Sequence, residues 1–82
     1  MNLVQLTETL VKALVLDKDS VNVKEFPTDE ENTILIQVMI SSDDIGRVIG
    51  KSGKNANAIR TLVQASSFLN DNKKVKINID SF

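Results

Sequence analysis

Apolar residues recur at helical spacing at the start of the chain. Leu3, Leu6, Leu10 and Leu14, flanked by Val11 and Ala13, form one stripe, while Gln5, Glu8, Thr9 and Lys12 fill the other face. The spacing predicts an amphipathic helix over Leu3 to Leu16 that docks on a flat surface. Asp17, Lys18, Asp19 and Ser20 then break the pattern. From Val21 to Phe26 the period changes to two, with Val21, Val23 and Glu25 opposed to Asn22, Lys24 and Phe26, as in an edge strand. Pro27 to Asn32 is polar turn chemistry, and Thr33 to Ile40 is the most β-like run in the chain. Two strands across a short polar loop make a hairpin.

Ser41, Ser42, Asp43 and Asp44 are helix-start residues, and a short helix is expected from Asp43 to Ile49. Its acidic pair reads as capping and dipole compensation, since general acid or base work needs a partner in a cleft and none stands nearby. A second helix, Lys54 to Leu69, carries Ala56, Ile59, Leu62, Val63 and Ser66 on or near one face, with Ala58, Ala65 and Leu69 alongside. After a polar loop, Val75, Ile77 and Ile79 alternate with Lys74, Lys76 and Asn78 in a last strand. A strand, two helices and a strand form a crossover, which makes the last strand parallel to the Thr33 to Ile40 strand. The expected class is α+β, in the order α-β-β-α-α-β, with a three-stranded mixed sheet and three helices on one face.

Composition narrows the function. At 82 residues and 41% apolar content the chain supports one modest core, so residues 1–82 are read as a single domain. It has no cysteine and no histidine, which removes disulfides, thiolate metal sites and the commonest catalytic bases. No cofactor, no metal and no enzymatic activity are expected. No apolar run reaches the length of a membrane span, and no basic segment followed by an apolar one opens the chain, so a cytoplasmic location without membrane contact is expected. The formal net charge of −1 argues against a general nucleic-acid coat. Any binding of a polyanion must be local.

The local feature is Ile45 to Arg60, which holds all three glycines, Gly46, Gly50 and Gly53, together with Arg47, Lys51, Lys54 and Arg60. No acidic residue occurs from Ile45 to Asn70. Glycines at 50 and 53 allow a tight turn whose backbone a ligand can approach closely, and the turn feeds a helix N-terminus, where free N–H groups favour anions. Lysines at a helix start oppose the macrodipole, by about 0.3 to 1 kcal/mol per exposed charge. A bound phosphate reverses that sign. The stretch is not a P-loop, because Gly46 precedes Gly50-Lys51-Ser52 by one residue too few, nor a dinucleotide fingerprint, because Gly46 and Gly50 are four apart.

With Val48, Ile49, Gly50, Lys51, Ser52 and Gly53 between two helices that are themselves flanked by strands, the stretch resembles the KH domain, whose signature is an apolar residue followed by Ile-Gly-x-x-Gly. The resemblance covers the whole chain. An extra helix and strand ahead of the core motif resemble the type II, bacterial arrangement, and the length is similar to that of the small free-standing bacterial KH proteins. Ala56 departs from the pattern, since many KH domains carry a larger aliphatic residue there, and a shallower groove floor is expected.

The resemblance implies that single-stranded RNA lies in a groove between the two helices and the last strand, its backbone clamped by Gly50 to Gly53. Lys51, Lys54, Arg47 and Arg60 are then expected to neutralise phosphates, and Gly46, with Val48 or Ile49, to line the groove. Without Trp, Tyr or His, base contacts are expected to be apolar and hydrogen-bonded. The family further implies a homodimer, or a heterodimer with a second KH-containing protein of the KhpB (Jag or EloR) type, in post-transcriptional control or cell elongation and division. The alternative reading is a protein-interaction adaptor that keeps the fold and binds little nucleic acid, for which the overall acidity speaks.

Overall fold

In the run Thr33 to Ile40 almost every residue is apolar or β-branched, which suits a strand flanked on both sides. The computed structural model, which describes residues 2–82, places it at the centre of the sheet. β1 (Asn22–Pro27) pairs antiparallel with β2 (Thr33–Ile40), Val23 opposite Val38, and β3 (Lys74–Ser81) pairs parallel on the other side, Ile77 opposite Ile36. Pro27 ends β1 instead of opening the loop. It is tolerated there because β1 is an edge strand.

α1 (Leu3–Lys12), α2 (Ile45–Ile49) and α3 (Lys54–Asn70) cover one face of this sheet. Ile36, Val38 and Ile40 of β2 and Val48 of α2 are fully buried between the layers, each such burial being worth about 1.5–3 kcal/mol. The mixed three-stranded α+β arrangement is the one expected from the sequence. Among the described residues no helix is long and apolar enough to cross a membrane.

Two helical faces differ from the expectation. In α1 the buried line is Leu3, Thr7, Val11 and then Val15 beyond the helix end, while Leu6, Leu10 and Leu14 are half-buried on its flank. Thr7 tolerates burial because its hydroxyl donates to the Leu3 carbonyl at 2.8 Å. The helix itself stops at Lys12, not Leu16. In α3 the buried line is Ala56, Ile59, Val63 and Ser67, which leaves Leu62 53% exposed and Ser66 half-buried. Ser67 is satisfied by the loop that follows: its hydroxyl donates to the Lys73 carbonyl at 2.6 Å and accepts from the Lys73 N–H at 3.2 Å. Ala56 is buried, at 2% exposure.

The acidic pair before α2 also divides. Ser41, not an aspartate, caps the 3-10 turn Ser42–Asp44, accepting from the Asp43 N–H. Asp44 is buried, and its carboxylate accepts from the N–H of Leu16 at 3.1 Å and of Asp17 at 3.0 Å, with Arg47 at 3.3 Å. It ties the chain leaving α1 to the start of α2. These two main-chain donors, helped by Arg47 and opposed by burial, hold its carboxyl below the ordinary aspartate value.

Because the folded value is depressed, Asp44 stabilises the fold above the ordinary aspartate range, near pH 4, and loses that contribution as the pH falls through its lowered value. Replacing Asp44 with Asn turns one acceptor into a donor facing an N–H, so the melting temperature at pH 7 should fall by at least about 5 °C. The variant should also lose part of the wild-type drop in stability between pH 5 and pH 2, roughly the interval of such a titration. Thermal melts across that range check both outcomes.

Candidate nucleic-acid interface

Two helices must be joined within the four residues between Ile49 and Lys54. The chain does so through Gly50 at φ 76°, ψ 173°, a backbone state that glycine alone adopts at low cost, and Gly53 at φ 76°, ψ 12°. Ser52 between them is also left-handed, at φ 56°. Gly50 N–H closes α2 on the Gly46 carbonyl at 2.9 Å, and Gly53 N–H bonds the Gly50 carbonyl at 3.1 Å. Gly50 has a steric reason as well. A Cβ there would stand 2.7 Å from Cγ of Asn55, whose amide donates to the Arg47 carbonyl at 2.8 Å and pins the end of α2 to the start of α3.

Gly46 is different. Nothing lies within 4 Å of where its Cβ would be, so packing within the chain does not require a glycine there. Its missing side chain leaves open surface one helical turn before the Gly50–Gly53 turn.

No side chain caps α3, and its first turn contains no acid. The Lys54 N–H bonds the Lys51 carbonyl within the turn, and no side chain accepts from the N–H groups that follow, so the helix start keeps a partial positive charge. Lys51, Ser52 and Lys54 are exposed around it. The ion pairs among the described residues are Lys12 with Glu8, Arg47 with Asp44 and Lys76 with Glu30, so no carboxylate engages Lys51, Lys54 or Arg60. The Lys76 ammonium in turn holds the Glu30 carboxyl below its ordinary value.

The expected site residues do not all converge. Gly50, Lys51, Ser52, Gly53 and Lys54 form the turn, with Gly46 and the half-buried Ile49 on its α2 side. Val48 belongs to the core. Arg47 reaches away from the turn, donating to the Asp43 carbonyl at 2.8 Å and to Asp44. Arg60 lies farther along α3 and bridges to β3, with Nε and Nη2 at 3.4 and 3.3 Å from the Ile77 carbonyl. Lys74 and Lys76 project from the opposite side of the sheet to the buried Ile77.

The Arg60 contact sets the outer edge of β3 beside α3. Lys74 N–H bonds the Asn32 carbonyl and Phe82 N–H the Ile40 carbonyl, so the main-chain groups of the alternate residues Val75, Ile77 and Ile79 face outward from the sheet. Gln64 takes the Val75 N–H at 2.9 Å and donates to the Lys73 carbonyl at 2.9 Å. Sequence reasoning missed Asn55 and Gln64. Gln64 lies one turn after Arg60 on the same helix face, which was a readable signal; Asn55 offered none.

A sequence model of the family described as KhpA/KhpB, KH domain matches residues 4–79. The chain is 40% identical over 75 residues to the RNA-binding protein KhpA of Clostridium acetobutylicum, covering 92% of this chain and 96% of that protein. It is 41% identical over 75 residues to the protein of the same name from Caldanaerobacter subterraneus, with the same coverage. Among solved structures it is similar to Era of Aquifex aeolicus, with a TM-score of 0.72 at 16% identity over 98% of this chain. A second Era structure, in complex with MgGDPNP and nucleotides 1506–1542 of 16S ribosomal RNA, gives 0.68 at 17% identity over 96% of this chain. The chain spans 30% and 29% of those longer chains, and the likeness is one of fold. With the glycine turn, the helices it joins and almost all of the strand beside them inside the matched residues, the chain belongs to the KhpA/KhpB family of KH domains.

Proposed function

We propose that the chain is an RNA-binding protein that holds single-stranded RNA along the groove between α2, α3 and β3. The observation that carries this is the bare N-terminus of α3 behind a glycine turn, with Lys51 and Lys54 unpaired beside it. A phosphate seated there meets helix-end N–H groups and two ammonium groups, and none of these has a competing carboxylate. Gly46 and Ile49 then offer an apolar surface to a base, and the outward main-chain groups of Ile77 and Ile79 offer hydrogen bonds to its edge. The relatives named RNA-binding protein support the same reading. Arg47 is already engaged by Asp44, so its phosphate contact is the weakest of those expected.

The chain also pairs, with a second copy of itself or with a KhpB-like partner, in the post-transcriptional or elongation and division roles that the family resemblance suggests. Leu10, Ala13, Leu14, Ala58 and Leu62 supply a candidate face, an apolar cleft between α1 and α3. Two sites per particle would raise avidity without new contacts at either.

Replacing Lys51 and Ser52 together with Asp tests the clamp. Both positions are exposed, and Asp accepts the left-handed conformation of residue 52, so the melting temperature should change little. RNA affinity at low salt should fall by at least about tenfold. In the wild type, neutralising two phosphates should give a log-log salt slope of about −1.4. Undiminished binding by the folded double variant would remove the glycine turn as the clamp, and little RNA binding by the wild type would favour the adaptor reading.

Light scattering across the micromolar range should give a dimer mass. Leu62→Glu should be a folded monomer, because Leu62 is already 53% exposed in the isolated chain. A wild-type monomer at every concentration would remove self-association.

A further inference from the structure

From Arg60 onward, α3 and the outer edge of β3 border a cleft that lies past the residues used by the clamp. Arg60, Thr61, Gln64, Ala65, Phe68 and Val75 line an open, shallow cleft of about 470 Å³ there. Phe68 is 59% exposed. An exposed apolar residue is ordinary by itself, and the surroundings of this one are what distinguish it.

Its wall is fixed. Both ends of the Gln64 amide are held by the main chain of β3 and its approach, and buried Ser67 anchors the same segment through Lys73. The lining contains one cation and no acid. Arg60 uses its guanidinium on a main-chain carbonyl and, at 3.5 Å, on Asn57, so donors remain for a phosphate or a base edge. The cleft and the clamp share helix α3. At about 1.5 Å per residue, Phe68 lies about 21 Å along α3 from Lys54. The other apolar cleft, around Leu10, Leu14 and Leu62, has no charged residue in its lining and suits a protein surface.

We propose that this cleft is an additional nucleotide subsite, in which a base of the strand held at the glycine turn stacks on the ring of Phe68 and Arg60 guides the strand between the two. The proposal rests on the RNA-binding reading. It supplies an aromatic platform in a chain without Trp, Tyr or His. Base stacking on a ring is tolerant of sequence, so the subsite would add affinity and reach more than selectivity.

The test compares four- and eight-nucleotide single-stranded RNAs by fluorescence anisotropy, in the wild type, Phe68→Ala, Phe68→Tyr and the Lys51→Asp, Ser52→Asp double variant. Removing a stacking ring costs roughly five- to 150-fold per base. Phe68→Ala should therefore lose about tenfold on the longer RNA and almost nothing on the shorter one, and Phe68→Tyr should keep the gain. Phe68 is exposed, so a thermal melt should find Phe68→Ala folded. An equal gain with length in wild type and Phe68→Ala would overturn the subsite while leaving the clamp in place. A double variant that binds both lengths like wild type would overturn the clamp at the glycine turn, and wild-type protein that binds neither RNA would overturn the RNA-binding reading itself. If Phe68→Ala instead lowers the mass found by light scattering and leaves the length dependence intact, the ring belongs to a protein contact and the subsite is wrong.

Discussion

The parallel pairing of β3 with β2 is the constraint on which the rest depends. Parallel neighbours cannot be joined by a tight turn, so the chain must travel back across the sheet between Ile40 and Lys74. It does this with a short α2 and a long α3, and the reversal between them is confined to Gly50–Gly53. Gly50 makes the reversal possible through its backbone and by leaving room for Asn55, which locks the two helices together. The same turn enters α3 through a residue that has no side chain to cap it. A bare helix start is therefore a consequence of the topology, and Lys51 and Lys54 convert it into a place suited to an anion.

Much of this was legible from period alone. Thr33 to Ile40 has the same limits in sequence and structure, and the glycine turn, the order of elements and the parallel last strand follow from patterning over neighbouring residues. What could not be read depends on partners distant in the chain. Asp44 looks like a helix-start acid because its actual partners, Leu16 and Asp17, stand 28 and 27 residues away. Thr7 and Ser67 look like surface residues because a lone sequence does not show the carbonyls that satisfy them once buried. Leu62 looks like core because hydrophobicity gives the width of an apolar stripe but not which edge of it the sheet covers. In the site, the charges and glycines were legible, while the direction of Arg47 and the reach of Arg60 to Ile77 required the three-dimensional neighbours.

The charge distribution follows the same division. The chain carries a formal charge of −1, yet no acid lies between Ile45 and Asn70. Acids elsewhere limit unspecific attraction to polyanions, and the cations that remain free on the turn and α3 act at short range. Helix α3 separates two kinds of surface. Its β3 side presents Arg60, Gln64 and Phe68, whereas its α1 side presents Ala58 and Leu62. The two faces share no lining residue.

The most direct measurement is an amide chemical-shift titration of isotope-labelled protein with a short single-stranded RNA. A strand clamped at the glycine turn predicts the largest changes at Gly50, Lys51, Ser52, Gly53 and Lys54, followed by Ile77 and Ile79 on the outward edge of β3. Lys24 and Gln37, on the sheet face away from the helices, should stay silent. Changes concentrated on Lys24, Gln37 and Lys76, with the turn unmoved, would contradict the clamp.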